Sequence, residues 1–418
     1  MLVSYSFTKG GAAKAAARFL SVAKALRLPS VTVDCLSQDG YHSIIHWFKR
    51  VLSYALGALH FDGNPIKHSL GLFSLPSLSK SILNEDAVFH FHWINNDTLS
   101  VYLMRHLPAG SVVTLHDEWL YCGSEHYYDV NRVRLDFVEG YSFFAWRYLG
   151  FNLGYFVWRA KVRALAARKD LIFTVPSRWL LERAQASVVL RSCNVYLLPN
   201  PIDTDVFSRA PSDSVSAFRN SLGLQADDFV LAFGAVGGKS PFIKGGHFLD
   251  EALRLLSSQL FQAGLKLPKV LVFGGKAEME KKLGMLDVLN VGHIHSQAKL
   301  SLLYSSVDCL VVPSLAEAFG QVAAESLACE TPVVCFSGTG MSDIVMHGVN
   351  GLLADHSSVT DLACKISQMI CMGVEQRRAF GARGRQHILS EFSYPAVGAI
   401  YKKIIAEAFA IRLDCSQN

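Results

Sequence analysis

The chain has 418 residues, half of them hydrophobic and 18% charged. That is too long for one typical core and too apolar for a disordered chain, so two globular domains are predicted. A net charge of +5 with a pI near 8.6 suits an anionic partner, and no apolar run reaches the roughly 18 residues of a membrane span. Nine cysteines are scattered without a C-x-x-C pair, and the start lacks a signal-peptide pattern. This excludes a disulfide or zinc framework and predicts reduced thiols in a cytoplasmic protein.

In chain order, Leu2–Tyr5 reads as a strand leading through Gly10-Gly11 into an Ala-rich helix, Ala12 to Leu26. Glycines at such a turn let the backbone approach a ligand, and the helix start beyond favours an anion. Val31–Asp34 is a second strand, and 36–85 show no ordered pattern. Ala87–Ile94 alternates as a strand, and Ser111–Leu115 is another, delivering His116-Asp117-Glu118-Trp119 at its carboxyl end. The His90-x-His92 pair has no third residue at ligand spacing, so packing is the expectation and no metal site is predicted. Tyr141 to Asp170 is rich in Phe, Trp and Tyr and then in Arg and Lys. Apolar rings with a basic face suit either an anionic lipid surface or a core helix pair with solvated cations. Leu171–Leu181 reads as a strand and helix start, and Val195–Asp203 ends the first half.

A second α/β pattern starts near Val230–Gly234. Its loop carries Gly237-Gly238-Lys239 and Lys244-Gly245-Gly246 before a helix. Two lysines in such a turn neutralise a diphosphate, with backbone N–H groups helping; the loop is not a Walker P-loop, because no Ser or Thr follows the Lys. Val270–Gly275 is a further strand and turn. Val307–Val312 reads as a strand buried on both faces. A polar loop with Glu317, Phe319 and Gly320 follows, then a helix carrying Glu325 and closed by Pro332. Strand, loop and helix is where an open α/β sheet places ligands. Eight residues of helix rise roughly 12 Å, more than the about 5–9.5 Å between hydrolase carboxyls. The two glutamates therefore fit two separate hydroxyl-binding carboxylates. Val333–Phe336 then delivers Ser337-Gly338-Thr339-Gly340-Met341-Ser342-Asp343, and a tail helix runs from about Tyr394 to Ala410.

Glu317-Ala-Phe-Gly-Gln-Val-Ala-Ala-Glu325 resembles the E-x7-E signature of the retaining family 4 glycosyltransferases, whose fold is GT-B. Lys244-Gly245 resembles that family's K-G motif, and the 338–353 stretch its GG-x-x-[DE]-[IL]-V…NG-L signature. LHDEWLYCGSEHYYD resembles the LHDxWxxTGxCHY stretch of bacterial colanic acid and O-antigen enzymes, with Cys122 for Thr and Glu125 for Cys. Residues 176–181 and 199–207 resemble the PS-x-W-L and IPNGID…F segments, with Pro201 for Gly, and Lys239 holds the family's Arg position by spacing only.

The resemblance implies two Rossmann-like domains facing across a cleft: 1–203 for the acceptor, 204–390 for a nucleotide sugar, and 391–418 as a helix crossing back. It implies Lys239 and Lys244 on the diphosphate, Glu317 on sugar hydroxyls with Phe319 and Gly320 amides, and Glu325 on the ribose. It places Gly10 and Gly11 near the donor phosphates and acceptor, and His116 and Asp117 on the acceptor side, with Lys244, Glu317, His116 and Asp117 as the catalytic set. The implied reaction retains configuration and needs no metal or other cofactor. The implied acceptor is a lipid-linked saccharide of a surface polysaccharide, with 141–170 against the anionic inner membrane and no nucleic acid as partner. A dinucleotide oxidoreductase lacks its G-x-G-x-x-G here. A UDP-sugar epimerase of the same fold and a non-catalytic sugar- or lipid-binding scaffold are the alternatives.

Overall fold

The structure, a computed structural model, describes residues 1–37, 43–60, 66–84, 87–128, 134–144, 152–234, 242–275 and 281–416. The chain divides into two compact units, Met1–Pro201 with Val397–Asn418, and Ile202–Ala396. The first contains β1 (Leu2–Ser4), α1 (Gly11–Ala25), β2 (Thr32–Asp34), α2 (Ile44–Gly57), α3 (Pro76–Asn84), β3 (His90–His92), β4 (Val112–Thr114), α4 (Asp136–Glu139), α5 (Leu153–Leu165), β5 (Ile172–Val175), α6 (Arg178–Ala186) and β6 (Asn194–Leu197). The second contains α7 (Ser212–Ser221), β7 (Val230–Gly234), α8 (Gly246–Gln262), β8 (Lys269–Phe273), β9 (Lys281–Leu283), β10 (Leu286–Gly292), α9 (Gln297–Ser305), β11 (Cys309–Val312), α10 (Gln321–Ala328), β12 (Val333–Phe336), β13 (Gly351–Ala354), α11 (Val359–Cys371) and α12 (Val374–Glu391). The last helix, α13 (Tyr394–Ser416), begins in the second unit and continues into the first.

The first sheet runs β2-β1-β3-β4-β5-β6, parallel throughout. The second runs β13-β12-β11-β7-β8-β10-β9, and only β9 is antiparallel to its neighbour. Strand order reverses between β1 and β3 in one sheet and between β7 and β11 in the other. A parallel sheet binds ligands beyond its carboxyl ends at such a switch point. The loops that matter are thus those after β1 and β3, and those after β7 and β11.

The central strands β7, β11 and β12 of the second sheet read as unbroken apolar runs because both faces are covered. Val230, Ala232, Leu310, Val312, Val333 and Cys335 pack on one side with Tyr304 of α9, Leu327 of α10 and Ile388 of α12. Their neighbours Leu231, Phe233, Cys309, Val311, Val334 and Phe336 pack on the other, under α8 and α11. The strand period of two assigns each residue to its layer. Both units are Rossmann-like, as expected for the GT-B class. All nine cysteines are free, and among the described residues no helix is long and apolar enough to cross a membrane. Residues 36–85, which show no ordered pattern in the sequence, contain α2 and α3.

In the first unit α13 closes over the sheet: the Tyr401 hydroxyl meets His90 Nδ1 at 3.0 Å, and its ring lies 5.4 Å from Phe19 of α1.

Candidate active site

In the second unit the loops after β7 and β11 meet at the switch point. Lys244 Nζ lies 2.6 Å from Glu317 Oε2, with the lysine side chain 32% and the carboxylate 17% exposed. The pair is half-open, so an incoming anion can reach the ammonium. Backbone contacts fix its geometry. Leu315 N donates to Ile243 O at 2.9 Å, tying the two loops together. Gly245 caps α8 in the left-handed region, at φ 68°, and a Cβ there would overlap the Pro313 carbonyl. On the far side Gly340 N donates to Glu317 O at 2.8 Å, and a Cβ at Gly340 would lie 2.7 Å from that same oxygen. Two glycines thus clamp the Glu317 loop from both flanks.

Gly320 follows at φ 104° and caps α10, while Phe319 is buried in the core with 2% exposure. Glu325, in the second turn of α10, is 1% exposed and accepts from the Tyr304 hydroxyl at 3.2 Å. Lys239, Gly237 and Gly238 lie outside the described residues.

In the first unit Gly10 caps α1 at φ 95°, and neither Gly10 nor Gly11 has an atom within 4 Å of where a Cβ would stand, so the turn is open. His116 and Asp117 follow β4, but their side chains point to internal partners. His116 Nε2 meets His92 Nδ1 at 3.0 Å. Burial pulls His116 down to about 4, against the pull of Asp117, so its imidazole is neutral at pH 7. Asp117 is 8% exposed. It accepts from Trp93 Nε1 at 2.9 Å, His126 Nδ1 at 2.7 Å and Trp119 N at 3.0 Å. Burial opposes its charge, yet His126 and these hydrogen bonds hold the carboxyl below the ordinary value. His126 Nε2 in turn meets the Ser69 hydroxyl at 2.8 Å.

His90 and His92 are buried, with His90 bonded to Tyr401 and Thr114. Among the described residues no cluster of His, Cys, Asp and Glu could hold a metal ion.

Lys161 of α5 supports the same loop from within. It is fully buried and donates to the carbonyls of Trp119, Cys122 (3.2 Å) and Gly123 (2.7 Å), with its Nζ 3.8 Å from the Trp119 ring centroid. One cation of the basic 141–170 stretch is therefore a core residue, while Phe156, Arg159 and Arg163 on the same helix are exposed.

Tyr304, His126, Trp93 and Lys161 were not singled out by motif. His126 stands nine residues after Asp117 in the LHDEWLYCGSEHYYD stretch, which is the one usable sign in the sequence. Lys161 has none, because a buried lysine reads like any other in a basic run.

Residues 230–387 match the family described as glycosyl transferases group 1. The chain is 31% identical over 224 residues to a D-inositol 3-phosphate glycosyltransferase of Thermobispora bispora, covering 50% of each chain. It is 34% identical over 176 residues to the enzyme of that name from Kribbella flavida, covering 39% of this chain and 40% of that one. The chain thus spans about half the length of the first of these curated relatives. Among solved structures, a glycosyltransferase from Rickettsia africae superposes with a TM-score of 0.61 at 12% identity over 98% of both chains. Anabaena Alr3699/HepE, in complex with UDP and glucose, gives 0.61 at 16% identity over 97% of this chain and 99% of that one. These likenesses establish the fold. Residues 230–387, the segment similar to the glycosyl transferases group 1 family, hold Lys244, Glu317 and Glu325 within a chain of GT-B fold.

Proposed function

We propose that the protein transfers a sugar, with retention of configuration, from a nucleoside diphosphate sugar to a hydroxyl acceptor. The observation that carries this is the Lys244–Glu317 pair at the β7/β11 switch point, inside the family-matched segment. An arriving diphosphate outcompetes one carboxylate for Lys244, because it offers more charge and more acceptor oxygens. Glu317 is then released to accept hydroxyl hydrogens of the donor sugar. Lys244, helped by Lys239 and the α8 amides, stabilises the charge that collects on the diphosphate as the glycosidic bond breaks. Phe319 and Gly320 offer backbone N–H groups to sugar or phosphate. Glu325 holds the ribose, exchanging its Tyr304 partner for a diol. No metal or other cofactor is required in this scheme.

The acceptor belongs to the first unit, at Gly10, Gly11 and the His116–Asp117 loop. Asp117, saturated by Trp93, His126 and Trp119, acts in this scheme as a positioning residue; His116, neutral, can accept a hydrogen bond from an acceptor hydroxyl. A lipid-linked saccharide of a surface polysaccharide is the acceptor favoured by the LHDEWLYCGSEHYYD resemblance, with exposed arginines of α5 near an anionic membrane. Curated relatives named for D-inositol 3-phosphate favour a second acceptor class, a phosphorylated polyol.

The test is thermal unfolding with UDP, GDP and their sugars. One nucleoside diphosphate at a hundredfold excess over its Kd stabilises the fold by about 2.7 kcal/mol. Lys244→Ala weakens that binding ten- to a hundredfold, since hydrogen bonds to charged groups contribute about 1.5–3 kcal/mol. Glu317→Ala removes only the extra shift due to the sugar. If no nucleotide moves the wild-type transition, the transferase reading fails and the scaffold reading replaces it.

A further inference from the structure

The turn after β13 reaches into the Glu317 loop from outside it. Residues 355–358 form a tight turn, in which Ser358 N donates to Asp355 O at 3.1 Å and the Ser358 side chain caps α11. Strand β13 is two places from β11 in the sheet, roughly 10 Å away at ordinary strand spacing. The turn nevertheless spans that gap: His356 Nε2 meets the Leu315 carbonyl at 2.8 Å. Its ring passes the end of β12, where Gly338 carries no side chain; a Cβ there would stand 3.9 Å from His356 Cδ2. Leu315 is therefore held on both sides, through its N–H by Ile243 and through its carbonyl by His356. Glu317 follows two residues later.

The partners of His356 fix its tautomer. A carbonyl only accepts, so Nε2 carries the proton, and Nδ1 of the neutral ring is an acceptor. Ser357 Oγ lies 2.8 Å from Nδ1 and is the donor. The backbone is strained to bring it there: Ser357 has φ 61°, the left-handed region that glycine or asparagine ordinarily fills in a turn. Strain of this kind persists where it serves a site, and here the strained residue orients the ring that grips the Glu317 loop. We propose that His356, fixed by Ser357, is a positioning residue that aims the Glu317 carboxylate at the hydroxyls of the donor sugar. The inference rests on the donor-site reading above and adds the residues that aim its sugar grip. His356 lies three residues beyond the 338–353 signature, and no motif in the sequence marks it.

The test is calorimetric titration with UDP and GDP, each alone and carrying glucose, galactose, mannose or N-acetylglucosamine. The readout is the ratio of affinities for the nucleotide sugar and the bare nucleoside diphosphate. Glu317→Ala identifies the sugar whose ratio depends on that carboxylate. His356→Leu lowers the same ratio about fivefold, as the loss of one hydrogen bond warrants, and leaves the nucleoside diphosphate bound within about twofold. His356→Gln restores the ratio, because its amide nitrogen can donate to the same carbonyl. Ser357→Gly separates aim from stability. The turn relaxes, so the melting temperature does not fall, yet the ratio drops with the hydroxyl lost. Should His356→Leu fail to fold, Ser357→Gly decides. Variants that change the melting temperature and leave the ratio alone show a purely structural role and overturn the proposal. So does His356→Gln if it stays as weak as His356→Leu. A wild type with no sugar that depends on Glu317 overturns the donor-site reading and the proposal with it. A wild type with such a sugar, bound undiminished by His356→Leu, overturns the proposal alone.

Discussion

Gly245→Ala tests whether the backbone clamp, and not merely the presence of Lys244 and Glu317, defines the proposed donor site. Gly245 sits at φ 68°, where a β-carbon costs about 1–2 kcal/mol. The added methyl would also overlap the Pro313 carbonyl oxygen and lie 2.8 Å from its carbon. In a close-packed interior the two loops must separate to make room. That stretches the 2.9 Å bond from Leu315 N to Ile243 O, at a cost of about 1 kcal/mol. Together the loss is about 3 kcal/mol, which for a unit of this size lowers the melting temperature by roughly 6–12 °C. Separating the loops also pulls Lys244 from Glu317, and ångström-scale misplacement is enough to cost about a hundredfold in turnover. Calorimetry, followed by nucleotide titration below the new transition, reads both effects. A variant that melts within a degree or two of wild type, or one that binds nucleoside diphosphate equally well, refutes the clamp.

Three further predictions concern the first unit. Burial lowers Lys161 to about 7, so the unfolded chain holds a proton that the fold sheds between pH 7 and the ordinary lysine value. Stability should climb with pH across that window, and Lys161→Met should flatten the slope measured by urea unfolding. His90 and His116 are pushed down to about 3 and about 4, mainly by burial, and His92 is held well below its ordinary value for the same reason. The unfolded chain takes up these protons first, so stability should fall as pH drops from about 6.5 toward 4; a flat acid profile would contradict the neutral assignment. Glu118 is fully buried and is met by Arg183 Nε at 2.5 Å, the Tyr121 hydroxyl at 2.8 Å and Tyr128 N at 2.8 Å. Arg183→Leu should destabilise by about 3 kcal/mol, because it strands a buried carboxylate, and Glu118→Gln in the same chain should recover part of the loss.

What the sequence shows and what it hides divide along physical lines. The strand-to-helix change of period around Val312 and Gly320 marks the Glu317 loop, and a lysine in a glycine turn marks Lys244, because both signals are local. That these two loops touch follows only from strand order, which places β7 beside β11. Helix α2 has separate apolar and polar stripes at helical spacing, but the pattern alone suggests that the apolar stripe is the buried one; that the polar stripe turns inward makes sense only beside the buried Asp97. Asp117 and His116 follow β4 as the strand pattern predicts, yet nothing local reveals that Trp93, His126 and His92 occupy their polar atoms. The buried Lys161 is legible only once three carbonyls converge on it.

The way α13 closes the first unit has a consequence for how the chain is made. His90 and Tyr401 are 311 positions apart, and Gly110 has no room for a β-carbon beside the Ala408 carbonyl. During synthesis the first sheet can form early, but its cover arrives only after the whole second unit has left the ribosome. The second unit can thus finish first, while the first waits half-assembled with Phe19 and His90 exposed. A frameshift or proteolytic nick near residue 397 would therefore damage the N-terminal half of the molecule, the half most distant from it in sequence, and spare the second unit next to it.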